Sequence, residues 1–160
     1  MNKSEQYRIK ACRICRQNNL VEFLSLGSMP IPNGFLKKEE LSKEEQHYPL
    51  GAYFCPNCTL VQLTHVIPAE IMFKNYLYIP STSQTMLQHF ETLAEEAVEK
   101  FEIKPNDLVI DIGSNDGTLL KFFKAFEAQT LGIDPASNLA TVARLQGIDT
   151  IDAFFTKQLA

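Results

Sequence analysis

Four cysteines constrain this chain more than any other feature. Cys12 and Cys15 form one CxxC pair and Cys55 and Cys58 a second, with 39 residues between the pairs and no cysteine left over. The two residues inside each pair let the chain turn back so that both sulfurs face one point. Two such knuckles can set four thiolates tetrahedrally around Zn²⁺, at about 2.3 Å each. The competing readings are two disulfides or four reduced core thiols. Disulfides suit an oxidising compartment. The stretch from Met1 to Ala11 is polar and has no signal-peptide apolar region, so the expected compartment is the cytoplasm and the favoured reading is a metal. A Cys₄ site is closed and keeps no water position, so its work is folding rather than catalysis. Arg13, Arg16 and the region of Asn57 are placed to donate charge or backbone hydrogen bonds to the sulfurs.

The gap between the knuckles is long enough for a subdomain. Leu20 to Gly27 reads as a strand, and Met29 to Gly34 as a turn-rich loop. The charged run Lys37 to Gln46 reads as a solvated helix or loop. Thr59 to Thr64 leaves the second knuckle as a strand, which gives a zinc-ribbon-like module over residues 1–66. With 160 residues and 45% apolar content, the rest of the chain is one further globular part. No apolar run approaches membrane-spanning length. Residues 1–60 carry eight Lys/Arg and six Asp/Glu, and residues 61–160 carry seven and thirteen, so neither part has the basic excess of a nucleic-acid binder.

Residues 67–104 read as a connector. Ile67 to Glu70 begins a short helix, with Pro in its first turn. Two tyrosines, Tyr76 and Tyr78, then precede the hydroxyl cluster Ser81-Thr82-Ser83. On residue chemistry alone the aromatics are packing groups between subdomains. Ser81 to Gln84 fits a capping box. Met86, Phe90, Leu93, Ala97 and Phe101 recur at helical spacing, which predicts one amphipathic helix from about Ser83 to Phe101.

From residue 105 the pattern changes. Leu108 to Ile112 reads as a buried strand, Leu119 to Phe126 as a helix, Thr130 to Asp134 as a strand, and Asn138 to Gln146 as a helix stopped by Gly147. Ile148 to Ile151 reads as a third strand. The order β-α-β-α-β implies a parallel sheet with right-handed crossovers. Between the first strand and helix lies Gly113-Ser114-Asn115-Asp116-Gly117, and Asp134 follows Asp111 by 23 positions. A glycine loop lets the backbone approach a ligand, and an acid at the end of the next strand can accept both hydroxyls of a ribose. The loop does not match GxGxxG, and Asp116 sits where a pyrophosphate would need positive potential. An acidic loop suits a cationic cofactor without phosphate, so S-adenosylmethionine (SAM) is favoured over NAD. A glycine turn that binds nothing is the plain alternative.

With both features in view, the chain resembles the zinc-binding nucleotide-sugar C-methyltransferases, of the NDP-hexose 3-C-methyltransferase type. The resemblance is carried by Cys12-Arg-Ile-Cys15, Leu26 to Asn33, Tyr48-Pro49-Leu50 and Cys55-Pro-Asn-Cys58 with Leu60 to Leu63. It continues through Phe73 to Ser83, Asp111 to Leu120 and Gly132-Ile133-Asp134-Pro135. It implies a zinc module followed by the start of a Rossmann-like class I SAM methyltransferase domain over residues 105–160, with an incomplete parallel sheet. It implies that Cys12, Cys15, Cys55 and Cys58 hold Zn²⁺, that Asp111, Gly113, Ser114, Asn115, Asp116 and Gly117 form the SAM loop, and that Asp134 holds the adenosine ribose. Tyr76 falls in the family's stretch lining the cofactor and sugar pocket. Where the common class I loop has glycine, this chain has Asn115, which tolerates left-handed backbone geometry.

The chemistry so implied is methyl transfer to a carbon of a nucleotide-linked keto-deoxysugar through an enolate, which needs a general base and a group to stabilise the enolate oxygen. The family's histidine region lies beyond Ala160. His47, His65 and His89 do not match it and read as structural or solvated, so no catalytic residue is assigned. The expectation is an N-terminal fragment, inactive alone, whose missing partners are the C-terminal domains of the same protein. The alternatives are a standalone zinc-ribbon binding module without catalysis and, less favoured, a fragment of an NAD-dependent enzyme.

Overall fold

The computed structural model describes Glu5 and residues 7–160. The chain divides into two compact units, Met1–Met72 and Phe73–Ala160.

The first unit is built on a three-stranded antiparallel sheet of β1 (Val21–Pro30), β2 (His47–Phe54) and β3 (Val61–Leu63), in that spatial order. Val21 lies opposite Phe54 and Phe54 opposite Val61, so one apolar row crosses the sheet. All three side chains in that row stay exposed. On the opposite face, Gln62 is buried beneath the first knuckle. β1 runs further than the apolar pattern predicts, because Ser28, Met29 and Pro30 pair with Pro49, Tyr48 and His47 instead of forming a loop. An irregularity between Ser25 and Ser28, with Gly27 at φ +76°, absorbs the extra residues and restores the register. Pro30 is tolerated at the end of an edge strand because no ladder donor is needed there. The charged run holds only a short 3₁₀ turn, Lys38–Glu40, and is largely exposed. A five-residue helix, α1 (Ala69–Phe73), follows the sheet.

In the second unit, α2 (Gln84–Phe101) matches the predicted amphipathic helix. Its cap differs from the expected capping box. Pro80–Thr82 forms a 3₁₀ turn, and the side chain of Ser83, not Ser81, accepts a hydrogen bond from the Met86 amide. The sheet consists of β4 (Leu108–Ile112), β5 (Gln129–Asp134) and β6 (Thr150–Asp152), all parallel and in that order. α3 (Thr118–Ala125) and α4 (Ser137–Leu145) make the two crossovers. Both connections step the same way along the sheet, and right-handed crossovers then lay both helices on one face. Val109 turns to that face and meets two buried clusters, one of Ala94, Phe123 and Ala128 and one of Leu120, Ala143 and Ile148. β4 is therefore not the fully buried strand its composition suggests. Leu108, Ile110 and Ile112 point to the other face and are 50–58% exposed. Among the described residues, no helix is long and apolar enough to cross a membrane.

A four-cysteine centre and a glycine-loop cleft

The two knuckles of the first unit are the same turn used twice. In the first, the Cys12 amide donates to the Gln17 carbonyl at 2.8 Å and the Arg16 amide to the Cys12 carbonyl at 3.0 Å. In the second, the Cys55 amide donates to the Leu60 carbonyl at 2.9 Å and the Thr59 amide to the Cys55 carbonyl at 2.8 Å. The residue after each pair, Arg16 or Thr59, takes a left-handed backbone at φ 64° or 60°. This reversal points both sulfurs of a pair inward. Cys12 Sγ lies 3.5 Å from Cys58 Sγ and Cys15 Sγ 3.4 Å from Cys55 Sγ, and all four ligand atoms fall within 4.8 Å of one another. A tetrahedron with bonds of about 2.3 Å has edges of about 3.8 Å, so the cluster suits Zn²⁺. The four thiols are free, and Cys12 and Cys55 are fully buried.

The electrostatics of the cluster call for a cation. Burial works to raise the Cys12 thiol, but the Cys15 and Ile14 amides, with the Cys58 and Cys15 thiols, bring it down to about 6. At Cys15 the Gln17 amide pulls downward, yet burial and the Cys55, Cys58 and Cys12 thiols push it up to about 12. Cys12 can thus ionise on its own, while Cys15 stays protonated until a positive charge stands beside it. The amides that reach the sulfurs are those of Ile14, Cys15 and Gln17. The Arg13 amide instead donates to Gln62 Oε1 at 2.9 Å, and Asn57 Oδ1 accepts from Asn19 at 2.9 Å. Arg13 and Asn57 thus tie the knuckles in place rather than feeding the thiolates.

In the second unit the glycine loop shapes a cleft of about 300 Å³, lined by Pro80, Phe90, Asp111, Gly113, Ser114, Asn115, Asp116, Thr118 and Leu119. Gly113 and Gly117 stand at φ +86° and +78°, and Asn115 at +51°. Gly132 on β5 lets the loop pack down, because a Cβ there would lie 2.5 Å from Ser114 Oγ. Asp116 is fully buried. Its Oδ1 accepts from the Thr118 amide at 3.2 Å and from the Thr118 hydroxyl at 2.7 Å, which steadies the start of α3. Its Oδ2 is buried with no partner, as is Ser114 Oγ. Two unsatisfied buried oxygens in a cleft wall are costly unless a ligand meets them. Burial, and then the charge of Asp134, hold the Asp111 carboxyl above its ordinary value.

The other sequence-predicted residues surround this cleft without lining it. Asp134 ends β5, where Oδ2 accepts from the Asn115 amide at 2.7 Å and Oδ1 from the Ala136 amide at 2.8 Å. It therefore braces the loop from beneath. Tyr76 packs edge-on against Phe73 at 6.0 Å, and its backbone is bonded by Asn138. His89 is exposed on α2 and does not reach the cleft. Sequence reasoning missed Pro80, Phe90, Thr118 and Leu119 as wall residues. Thr118 adjoins the loop and was within reach of the motif, but Pro80 and Phe90 arrive from another element.

Comparison with known proteins agrees with this geometry. Residues 12–73 match the family Methyltransf_13, described as "Putative zinc binding domain". The chain is 35% identical over 151 residues to the C-methyltransferase NovU of Streptomyces niveus. That alignment covers 94% of this chain but 36% of the relative, so the chain spans about a third of the length of the curated relative it matches. The zinc-binding match encloses both knuckles, and the wider similarity runs through the glycine-loop cleft. Over nearly all its length this chain is similar to part of a C-methyltransferase, and residues 12–73 are similar to a family of zinc-binding domains.

Proposed function

We propose that this chain is the N-terminal part of a SAM-dependent C-methyltransferase that acts on a nucleotide-linked keto-deoxysugar. Residues 1–66 would form the zinc module, 67–104 the connector and 105–160 the start of the cofactor domain. Cys12, Cys15, Cys55 and Cys58 would hold Zn²⁺ in a closed site that fixes the two knuckles and leaves no position for substrate. The cleft formed by Asp111, Gly113, Ser114, Asn115, Asp116 and Gly117 would hold the cofactor, with Asp134 and Tyr76 beside it. When bound, SAM supplies an electrophilic methyl group.

One observation carries the cofactor reading, the unpartnered buried carboxylate oxygen of Asp116 in the cleft wall. A carboxylate so placed attracts a cationic donor and repels phosphate. Pro80, Phe90 and Leu119 supply the apolar part of the cleft wall. Asp134 stands where ribose-binding acids stand at the end of a second strand. Each of its oxygens keeps a second lone pair for a hydroxyl. The sugar substrate rests on the family resemblance and on the C-methyltransferase relative.

The test is calorimetric titration of the chain with SAM and with NAD. SAM binding is expected, and Asp116→Asn should weaken it about ten- to a hundredfold, the scale of a hydrogen bond to a charged group. Asn keeps the acceptor that Thr118 uses, so the loop should survive. NAD binding, or SAM affinity indifferent to Asp116→Asn, would overturn the reading.

A further inference from the structure

The stretch from Lys74 to Ile79 is neither helix nor strand. Even so, asparagine side chains grip its backbone at two points. Asn138, in the first turn of α4, bonds Tyr76 both ways. The Tyr76 amide donates to Asn138 Oδ1 at 3.2 Å, and Asn138 Nδ2 donates to the Tyr76 carbonyl at 2.7 Å. This pairing supplies the stretch with what a neighbouring strand would supply. Asn115, in the glycine loop, donates from Nδ2 to the Tyr78 carbonyl at 3.0 Å.

Asn115 is committed on every side. Its amide goes to Asp134 Oδ2 at 2.7 Å, and its Oδ1 accepts from the Asp116 amide at 2.8 Å. One residue thus joins the end of β5, the glycine loop and the tyrosine stretch. Its backbone is left-handed, a conformation that glycine adopts at least cost. Glycine would serve the turn alone. What the asparagine side chain adds is the bond to Tyr78 and the bond accepted from the Asp116 amide. Two residues further on, Pro80 is buried and walls the cleft.

We infer that Asn115 and Asn138 are positioning residues that tie the Tyr76–Tyr78 backbone to the glycine loop and to the start of α4, so that the cleft wall at Pro80 is in place before the cofactor binds. The inference rests on the cofactor reading above. Its physical basis is preorganisation. A stretch already held beside the loop does not have to be ordered when the ligand arrives, so less binding energy is lost.

The test combines affinity for S-adenosylhomocysteine (SAH) with amide hydrogen exchange, on the full chain and three variants. In the wild type, exchange at the Tyr76 amide should already be slow without ligand, and SAH should add protection in the loop 113–117. Asn115→Gly keeps the left-handed turn and removes the clamp together with the bond that Oδ1 accepts from the Asp116 amide. Asn138→Ala removes the other grip, and Asn138→Asp restores the acceptor for the Tyr76 amide but not the donor. Asn115→Gly and Asn138→Ala should each weaken SAH about fivefold, the scale of one lost hydrogen bond. Both should speed exchange over 76–83 in the ligand-free chain while β5 and α3 keep wild-type protection. Asn138→Asp should recover protection at Tyr76 alone. Wild-type affinity and protection in Asn115→Gly and Asn138→Ala would overturn the clamp. Should Asn138→Ala lose protection in β5 and α3 as well, Asn115→Gly and Asn138→Asp decide the matter by the same criteria. Failure of the wild-type chain to bind SAH would instead overturn the cofactor reading. The clamp is then judged without ligand, where Asn138→Ala must speed exchange at Tyr76 severalfold, and unchanged exchange would overturn it.

Discussion

Removing the metal should unfold the first unit and spare the second. Among the described residues of the first unit, the buried apolar side chains are Tyr48 and the two thiols Cys12 and Cys55, while Val21, Phe23, Leu24, Phe54, Val61 and Leu63 remain exposed. Full burial of a large apolar side chain contributes about 1.5–3 kcal/mol. Binding of structural Zn²⁺ contributes about 10–16 kcal/mol near neutral pH, more than those three burials together. The second unit is different, because Leu120, Phe123, Ile133, Leu139 and Ile148 are all buried there. Cys55→Ser replaces a fully buried thiolate ligand with a hydroxyl, which is a poor zinc donor. Native mass spectrometry should show loss of one zinc per chain. Hydrogen exchange should show β1, β2 and β3 at unfolded rates, with α3 and β5 unchanged. A metal-free Cys55→Ser chain that keeps β2 protected would refute the argument, as would one that still holds a full zinc.

Three further perturbations follow from the second unit. Gly132→Ala would drive a Cβ to 2.5 Å from Ser114 Oγ and 3.0 Å from Thr150 Oγ1. It should cost about 1–3 kcal/mol by denaturant unfolding, as overpacking does, and a neutral result would contradict the packing described. Asp134→Ala strips the Asn115 and Ala136 amides of their acceptor. It should lower stability by about 1–3 kcal/mol and weaken SAM as the loop loosens; unchanged stability would show that the carboxylate does not brace the loop. Asp111 gives a pH signature. Its carboxyl is raised in the fold by burial and by Asp134, so its contribution is full in acid and is lost as pH rises through the folded-state value. Asp111→Asn should therefore be more stable than wild type at about pH 7, and the difference should shrink towards about pH 4. A difference that does not vary with pH would exclude this linkage.

The sequence was most legible where chemistry is local. CxxC spacing announces a two-sulfur turn without reference to the rest of the chain, and the matched bonds at Cys12 and Cys55 form within six residues. The run from Leu108 to Asp134 was equally readable, since strand, glycine loop, helix and terminal acid follow one another directly. Legibility failed where partners decide. β1 continues to Pro30 because β2 lies opposite and Gly27 permits the irregularity, and neither fact is visible in an apolar pattern. Ser81, Thr82 and Ser83 are all competent caps, and only the turn begun by Pro80 selects the third. The exposure of Ile110 depends on which sheet face the helices cover. The Asn138–Tyr76 pairing spans 62 residues, and no local signal marks it. The two amides on Asp134 were hidden for the same reason. An acid at a strand end reads as a ligand group, and its service to the loop emerges only from the fold.

The most direct test is native mass spectrometry of the chain purified in the presence of zinc and mixed in turn with SAH and NAD. The account predicts one zinc per chain and one SAH bound, with no NAD adduct. A chain that carries no metal would contradict the four-cysteine centre. A chain that holds zinc but takes NAD, or binds neither compound, would contradict the methyltransferase cofactor site.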